Sequence, residues 1–227
     1  MKRVITVLLA VLLVLSLAAC GSGVETKKLA GTWTCTVDVT DRMNAAAEQA
    51  LGLSAADGTA QMPLQLVLTV TEDGAYTLRY DSDAARTALD AYAAALHPAA
   101  VESVYAAAEE QGLSREEYDA AMEKAGITMD DMVAAIFAGV DEEELLSLLT
   151  GRSAALTGYC RAESGQLYLA DTAAELAETA DCLSYTLSDG TMTWTDAQGE
   201  LSSQLTEEEQ ELLRVPLTWT KRAEESK

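Results

Sequence analysis

Alternating apolar and polar residues mark the two outer thirds of the chain. Trp33, Trp194 and Trp219 are each flanked by threonine on both sides. A period of two residues is typical of a β-strand with one buried face. An Asp-Gly pair follows two such runs, at Asp73-Gly74 and Asp189-Gly190, and favours a hairpin there. We therefore predict about eight short antiparallel strands. The other alternating runs are residues 64–70, 76–80, 155–160, 166–169 and 183–187.

The middle of the chain has a helical period instead. Apolar residues recur at intervals of three and four between residues 82 and 151, which predicts an inserted cluster of helices. Pro98 predicts a break between the first two helices, because proline removes a backbone hydrogen bond. Gly112, Gly126 and Gly139 each precede an apolar residue, a capping residue and acids, so a short helix is expected after each. Shorter helices are expected near residues 41–53, 172–179 and 206–213.

These patterns predict an α+β fold, with an antiparallel β-barrel or strongly curved sheet interrupted by the helical insertion 82–151. The first and last strands carry the same Thr-Trp-Thr pattern. Pairing them would remove two exposed sheet edges and close the sheet.

The N-terminus has the layout of an export signal. Lys2 and Arg3 precede an apolar run over residues 4–19, which ends at Leu-Ala-Ala before Cys20. The run is shorter than the roughly 20 residues of a membrane-spanning helix. An ordinary signal and a retained anchor are the alternatives. The residues before Cys20 resemble the lipobox of bacterial lipoproteins, in which the cysteine receives a diacylglycerol and becomes the first mature residue.

That resemblance implies a signal peptide over residues 1–19 and a tether over 20–28, and the predicted β-domain with its helical insertion then occupies residues 29–227. It also implies a cell membrane or envelope location, with the chain anchored by lipid on the extracytoplasmic face. Two or more acyl chains anchor a protein stably where one does not.

The start of the β-domain provides a second resemblance. Leu29-Ala30-Gly31-Thr32-Trp33 resembles the Gly-x-Trp opening of lipocalin-like domains. In that family the tryptophan plugs the closed end of an up-and-down barrel, and a basic residue near the last strand packs over it. Arg214 and Lys221 are the two candidates for that basic residue. The resemblance implies a barrel that binds a small apolar ligand.

Charge and cysteine content narrow the possible functions. Without Lys2 and Arg3 the chain has 13 basic residues against 37 acidic ones. Such a charge repels nucleic acid, so no nucleic-acid partner is expected. Three cysteines besides Cys20 allow one disulfide with three pairings, or three free thiols. Cys160 with Cys182 is the preferred pair, because both lie near the ends of predicted strands, and Cys35 is expected to be a buried thiol.

Candidate catalytic chemistry is scarce. His97 is the only histidine, and we expect it at a helix end interacting with the helix dipole. No metal, cofactor or catalytic residue is predicted. Asp81-Ser82-Asp83 begins like a calcium loop but lacks its central glycine and terminal glutamate. The acidic runs at residues 141–144 and 207–209 are explained as helix starts.

The sequence thus favours a non-enzymatic lipoprotein that binds a small apolar ligand in its barrel. The alternative is an envelope protein-interaction module with a filled barrel, which contacts a protein partner through its helices. A hydrolase is the third hypothesis.

A group of side chains in the insertion could form either an adaptable apolar groove or the interior of the helical cluster. These are Met122, Met129, Met132, Ile136 and Phe137.

Overall fold

In the described part of the chain, eight antiparallel strands close into a barrel in sequential order. The structure is a computed structural model and describes residues 24–53, 60–138, 145, 155–178, 182–198 and 212–223. The predicted α+β class with a barrel is confirmed. The strands are β1 (Gly31–Asp38), β2 (Pro63–Val70), β3 (Ala75–Tyr80), β4 (Leu156–Glu163), β5 (Gln166–Ala170), β6 (Cys182–Ser188), β7 (Thr191–Gln198) and β8 (Leu217–Lys221).

The barrel closes through the first and last strands. β1 pairs with β8, with Trp33 opposite Lys221 and Thr34 opposite Thr220. This pairing confirms the prediction from the matching Thr-Trp-Thr patterns. It removes the exposed edges that an open sheet would leave.

Three tight hairpins lie at one end of the barrel, and the longer connections leave from the other end. Two of these hairpins have two-residue loops in which both residues take positive φ. These residues are Ser164 and Gly165 (54° and 77°) and Asp189 and Gly190 (46° and 75°). Such loops match the right-handed twist of the flanking strands. The hairpins predicted at Asp73-Gly74 and Asp189-Gly190 are therefore confirmed.

The described helices begin with α1, at residues 24–29 before the first strand. The others are α2 (Thr40–Leu51), α3 (Ser82–Glu110), α4 (Arg115–Ala125), α5 (Met129–Phe137) and α6 (Ala173–Leu176). The expected helices near 41–53 and 172–179 thus correspond to α2 and to the short α6. The one expected near 206–213 lies mostly outside the described residues.

The chain divides into two compact units. The barrel unit comprises the described residues within Met1–Cys35, Leu66–Tyr80 and Ala154–Lys227. The helical unit comprises those within Thr36–Gln65 and Asp81–Ser153. The helical unit therefore also includes residues within Thr36–Gln65, which lie outside the predicted insertion 82–151. A hydrogen bond from the Tyr92 hydroxyl to Asn44 Oδ1 (2.7 Å) ties α2 to α3 within it.

Pro98 does not divide the helices as predicted. It lies inside α3, which runs unbroken from Ser82 to Glu110. Leu96 and Ala100, on either side of the proline, are almost fully buried. Burial of this face stabilises the helix against the lost hydrogen bond, since packing routinely overrides local preference. His97 is consequently in mid-helix rather than at a helix end.

The repeated caps are confirmed where the structure describes them. Ser114 and Glu117 form a reciprocal capping box at the start of α4. Thr128 and Asp131 form a second one at the start of α5. Each box satisfies two backbone N–H groups that a helix start leaves open. The third unit, which begins at Gly139, lies outside the described residues.

Candidate functional site

Gly31, Trp33 and Lys221 form one tightly packed group where the barrel closes. Trp33 is 1% exposed, and its indole Nε1 donates a hydrogen bond to the carbonyl of Leu29 (2.7 Å). The ammonium Nζ of Lys221 lies 5.3 Å from the centre of the Trp33 ring. This distance is typical of a cation–π interaction. Of the two candidate basic residues, Lys221 therefore packs on this tryptophan.

The glycine of the motif is needed for two reasons. Gly31 has a φ of 130°, a conformation that side chains rarely adopt. A Cβ built there would also lie 2.6 Å from Cε of Lys221. The missing side chain thus makes room for the lysine stem, which lets the ammonium group reach the Trp33 ring.

Helix α1 packs against the same end of the barrel. The backbone N–H of Ala162 on β4 donates to the hydroxyl of Thr26 (3.0 Å). Leu29, at the end of the helix, is fully buried. A Cβ at Gly74, in the turn between β2 and β3, would lie 3.3 Å from the Thr26 methyl group. The helix thus contacts β1, β4 and this turn, and it covers the end of the barrel with the short hairpins.

Two further tryptophans occupy the interior on β7 and β8. Trp219 is fully buried and Trp194 is 4% exposed. Their ring centroids are 4.9 Å apart with an angle of 48° between the planes. Neither indole N–H has a hydrogen-bond partner among the described residues. A buried tryptophan usually finds such a partner, so these two donors require an explanation.

On β3 and β4 the inward-facing side chains farther from the hairpin end are less buried, whereas Leu64 and Leu66 on β2 stay buried. Leu78 pairs with Leu68 on β2 and with Leu156 on β4, so all three lie on the same inner face. Leu68 is buried, whereas Leu78, Leu156 and their neighbour Tyr80 are partly exposed. On these two strands the inner face therefore changes from the buried Tyr76 and Gly158 near the hairpin end to partly accessible leucine and tyrosine side chains.

A glycine on the inner face of β4 leaves room for a tyrosine on β3. Gly158 is buried opposite Tyr76. A Cβ at this glycine would lie 2.5 Å from the carbonyl oxygen of Ala170 and 2.9 Å from the Tyr76 ring. The sequence analysis missed Gly158, and the available signal was a glycine inside the alternating run 155–160.

None of the three described cysteines forms a disulfide and all three are buried, so the preferred Cys160–Cys182 pair is not formed. Cys160 pairs with Leu169 on one face of β5, and Cys182 pairs with Tyr168 on the other. The two cysteines are thus on opposite faces and two strand spacings apart, roughly 9–10 Å. A disulfide requires Cα atoms within about 7 Å. Cys35 is a buried thiol, as expected. Burial raises the pKa of Cys160 to about 12.

The residues considered for catalysis do not meet in the described part of the chain. His97 Nε2 lies 3.1 Å from Asp130 Oδ1, a contact between α3 and α5. Asp81 accepts a hydrogen bond from the Ala84 N–H and caps α3. No group of three histidine, cysteine, aspartate or glutamate residues within these ranges has the arrangement of a metal site. The acidic runs at 141–144 and 207–209 lie outside the described residues.

The helical unit carries two depressions of its own. One is an open groove of about 470 Å³, lined in part by Met122, Ile127 and Met129. The other, of about 170 Å³, lies between α2 and α3 and includes Leu89 and Phe137. Ile127 is 42% exposed. Met129, Ile136 and Phe137 are half-buried and pack against the small core that contains the buried Val133, as expected for the interior of the helical cluster.

Cys20 and the preceding signal lie outside the described residues. None of the helices described is long and apolar enough to cross a membrane. Searches for similarity to protein families, to curated proteins and to solved structures found no match.

Proposed function

We propose that this chain is a non-enzymatic lipoprotein, anchored to a membrane through Cys20, whose barrel binds a small apolar ligand. The observation that carries the ligand proposal is the inner face of the barrel. Leu78, Tyr80 and Leu156 face inward, remain partly exposed and are apolar or aromatic. Predominantly apolar, largely pre-formed cavities are the usual sites of small-molecule binding.

The hairpin end of the barrel supports the same proposal. Trp33 and Leu29 are buried there beneath α1. A ligand would therefore enter from the other end, where the inward-facing side chains of β3 and β4 are partly exposed. The resemblance of Gly31 and Trp33 to the lipocalin opening agrees with this arrangement.

The lipid anchor is a separate part of the proposal and has its own test. Intact-mass analysis of the protein purified from its own membrane should give a chain that begins at Cys20 with a diacylglycerol on the sulfur. A chain with another first residue, or with an unmodified Cys20, would remove the proposed membrane placement.

Ligand binding is tested by titrating the full chain with the neutral dye N-phenylnaphthylamine. Leu156 faces inward, whereas its neighbour Thr157 is on the outer face and exposed. Leu156→Gln should weaken dye binding at least about fivefold, because it puts a polar amide into the apolar wall. Thr157→Gln is the matched control and should bind like the wild type. Equal effects of both substitutions, or no binding to the wild type, would contradict the proposal.

The second candidate is an envelope protein-interaction module that uses the helical unit. Two observations favour it: Leu113 and Ile127 are exposed large apolar side chains, and α4 buries none of its residues. A photo-cross-linker at Ile127 should then capture one partner in intact cells, whereas one at Thr87, which is exposed on α3, should not. The same products from both positions would count against this function.

A further inference from the structure

Very few residues separate the proposed lipid anchor from the barrel, and the inference below rests on that anchor. Helix α1 begins at Val24, so only residues 21–23 lie between it and Cys20. A fully extended chain spans at most about 3.6 Å per residue. The Cα of Val24 is therefore within roughly 14 Å of the Cα of Cys20.

Helix α1 is fixed to the hairpin end of the barrel and does not lengthen the connection. The Thr26 hydroxyl accepts a hydrogen bond from the Ala162 N–H on β4 (3.0 Å), and the Leu29 carbonyl accepts one from Nε1 of Trp33 on β1 (2.7 Å). Burial and the charge of Glu25 raise the pKa of Tyr185, which places the Glu25 carboxylate near β6. The helix thus extends across the end of the barrel and moves with it.

The other end of the barrel is farther from α1 than this connection can reach. Ala155 lies just before β4 and precedes Ala162, which α1 contacts, by seven residues. Seven residues of a strand span roughly 23 Å, or roughly 18 Å along the axis of a barrel with the usual strand tilt. A chain anchored at Cys20 therefore cannot turn this other end towards the bilayer that holds its acyl chains.

The exposed side chains of α1 suit a position at a lipid surface. Val24 is 55% exposed and is the one large apolar side chain that is exposed in the described part of the barrel unit. Lys27 and Lys28 are also exposed. A valine can lie among lipid headgroups while lysine ammonium groups stay in water.

Charge alone does not explain such a position. Acidic side chains in the turns at the same end are exposed and offset the two lysines; they are Glu72, Asp73, Glu163 and Asp189. Anionic lipid would therefore not attract this end of the barrel. The short connection to Cys20 is what holds it at the membrane.

We propose that the hairpin end of the barrel, with α1 across it, is the surface that contacts the bilayer holding the acyl chains of Cys20. The inward-facing side chains at the other end then face the aqueous phase. A ligand of the barrel would enter from that phase and not directly from the anchoring bilayer.

The test places a fluorophore at either end of the barrel in the lipidated protein. Glu72→Cys lies in the turn between β2 and β3, Ala155→Cys lies just before β4, and both positions are exposed. The described native cysteines are buried and Cys20 is blocked by its lipid, so bimane labels the new thiol. The protein is inserted into phosphatidylcholine vesicles in which part of the lipid carries a nitroxide quencher on its headgroup.

The label at residue 72 should lose most of its fluorescence, and the label at residue 155 should keep most of its fluorescence. Equal quenching at both positions, or stronger quenching at residue 155, would overturn the proposed orientation. The two positions are in the same unit of the fold, so their comparison does not depend on the other unit.

A longer connection provides a second variant. Inserting about twelve glycine and serine residues between Gly23 and Val24 gives a flexible chain with a mean reach of roughly 20–24 Å. The label at residue 72 should then lose much less fluorescence, while the fold of the barrel is untouched. Unchanged quenching would overturn the short connection as the cause of the contact.

Flotation of the vesicles on a density gradient separates this inference from the lipid anchor itself. The lipidated protein should float, and a chain that begins at Gly21 should stay in solution with both labels unquenched. A protein that floats with equal quenching at both positions overturns the orientation alone. Native protein that does not float overturns the proposed anchor together with the orientation.

Discussion

The ammonium group of Lys221 lies 5.3 Å from the centre of the Trp33 ring and joins the last strand of the barrel to the first. The two residues are directly opposite in the ladder between β1 and β8. The contact is therefore made at the seam where the sheet closes. We infer that it helps to fix the register of that seam.

Replacing Lys221 by glutamine should lower the free energy of unfolding by about 0.5–1 kcal/mol, because Lys221 is exposed and a cation–π interaction at an exposed site has this strength. Urea denaturation monitored by tryptophan fluorescence measures the change. Lys28 is an exposed lysine on α1, and Lys28→Gln is the control with no expected effect. A loss of the same size in both variants would show that the position over Trp33 is unimportant.

Gly31→Ala should destabilise the protein by about 1–3 kcal/mol through its strained backbone alone. The new Cβ would also collide with Cε of Lys221. Gly52→Ala is a control for the positive φ, since no atom lies within 4 Å of a Cβ at that position. Urea denaturation compares the free energies of unfolding of the Gly31→Ala and Gly52→Ala variants.

The double variant Gly31→Ala with Lys221→Ala separates strain from collision. It should recover part of the stability lost in Gly31→Ala, because the lysine stem is gone. A double-mutant cycle gives this coupling directly. Strict additivity of the two substitutions would contradict the proposed packing.

The capping boxes predict a pH dependence of the helical unit. The backbone N–H of Ser114 donates to Glu117, and its hydroxyl adds a second hydrogen bond, so the pKa of Glu117 is lowered. A carboxyl group with a lowered folded-state pKa stabilises the fold above its unfolded pKa, which is about 4.3. This contribution is lost as the pH falls through the folded pKa. Ser114→Ala should raise the pKa of Glu117 in an NMR titration.

Ser103→Ala is the control for that titration. Ser103 is exposed on α3, and its replacement should leave the Glu117 titration where it was. An unchanged pKa in Ser114→Ala would mean that the capping box is not formed in solution.

The three described cysteines are buried and should resist thiol reagents while the protein is folded. Because burial raises the pKa of Cys160 to about 12, its thiol is protonated at neutral pH and should not react with iodoacetamide. Cys35 and Cys182 are also buried and should react only after unfolding. Mass spectrometry counts the labelled thiols. Ser103→Cys provides an exposed thiol as a positive control, and a Cys160–Cys182 cross-linked peptide would contradict the structure.

The strands were predictable because their side-chain alternation and turn chemistry are local. The Asp189-Gly190 pair defined its hairpin, and the period of two defined the inner face of β7 and β8. The capping residues Ser114 and Thr128 were equally readable, since a cap involves residues only three positions apart. These features needed no knowledge of distant contacts.

What the sequence did not show depends on contacts between distant segments. Pro98 indicated a break, but burial of Leu96 and Ala100 keeps α3 continuous. Neither Arg214 nor Lys221 could be preferred for Trp33 until the register of β8 was known. The opposite faces of Cys160 and Cys182 likewise follow from pairing with β5.

Native mass spectrometry of the full chain after incubation with decanone, a ten-carbon methyl ketone, tests the central claim that the barrel interior binds a small apolar molecule. The account predicts a one-to-one complex for the wild type and for Thr157→Gln, and much less of it for Leu156→Gln. A bare chain in all three samples, together with no uptake of N-phenylnaphthylamine, would contradict it.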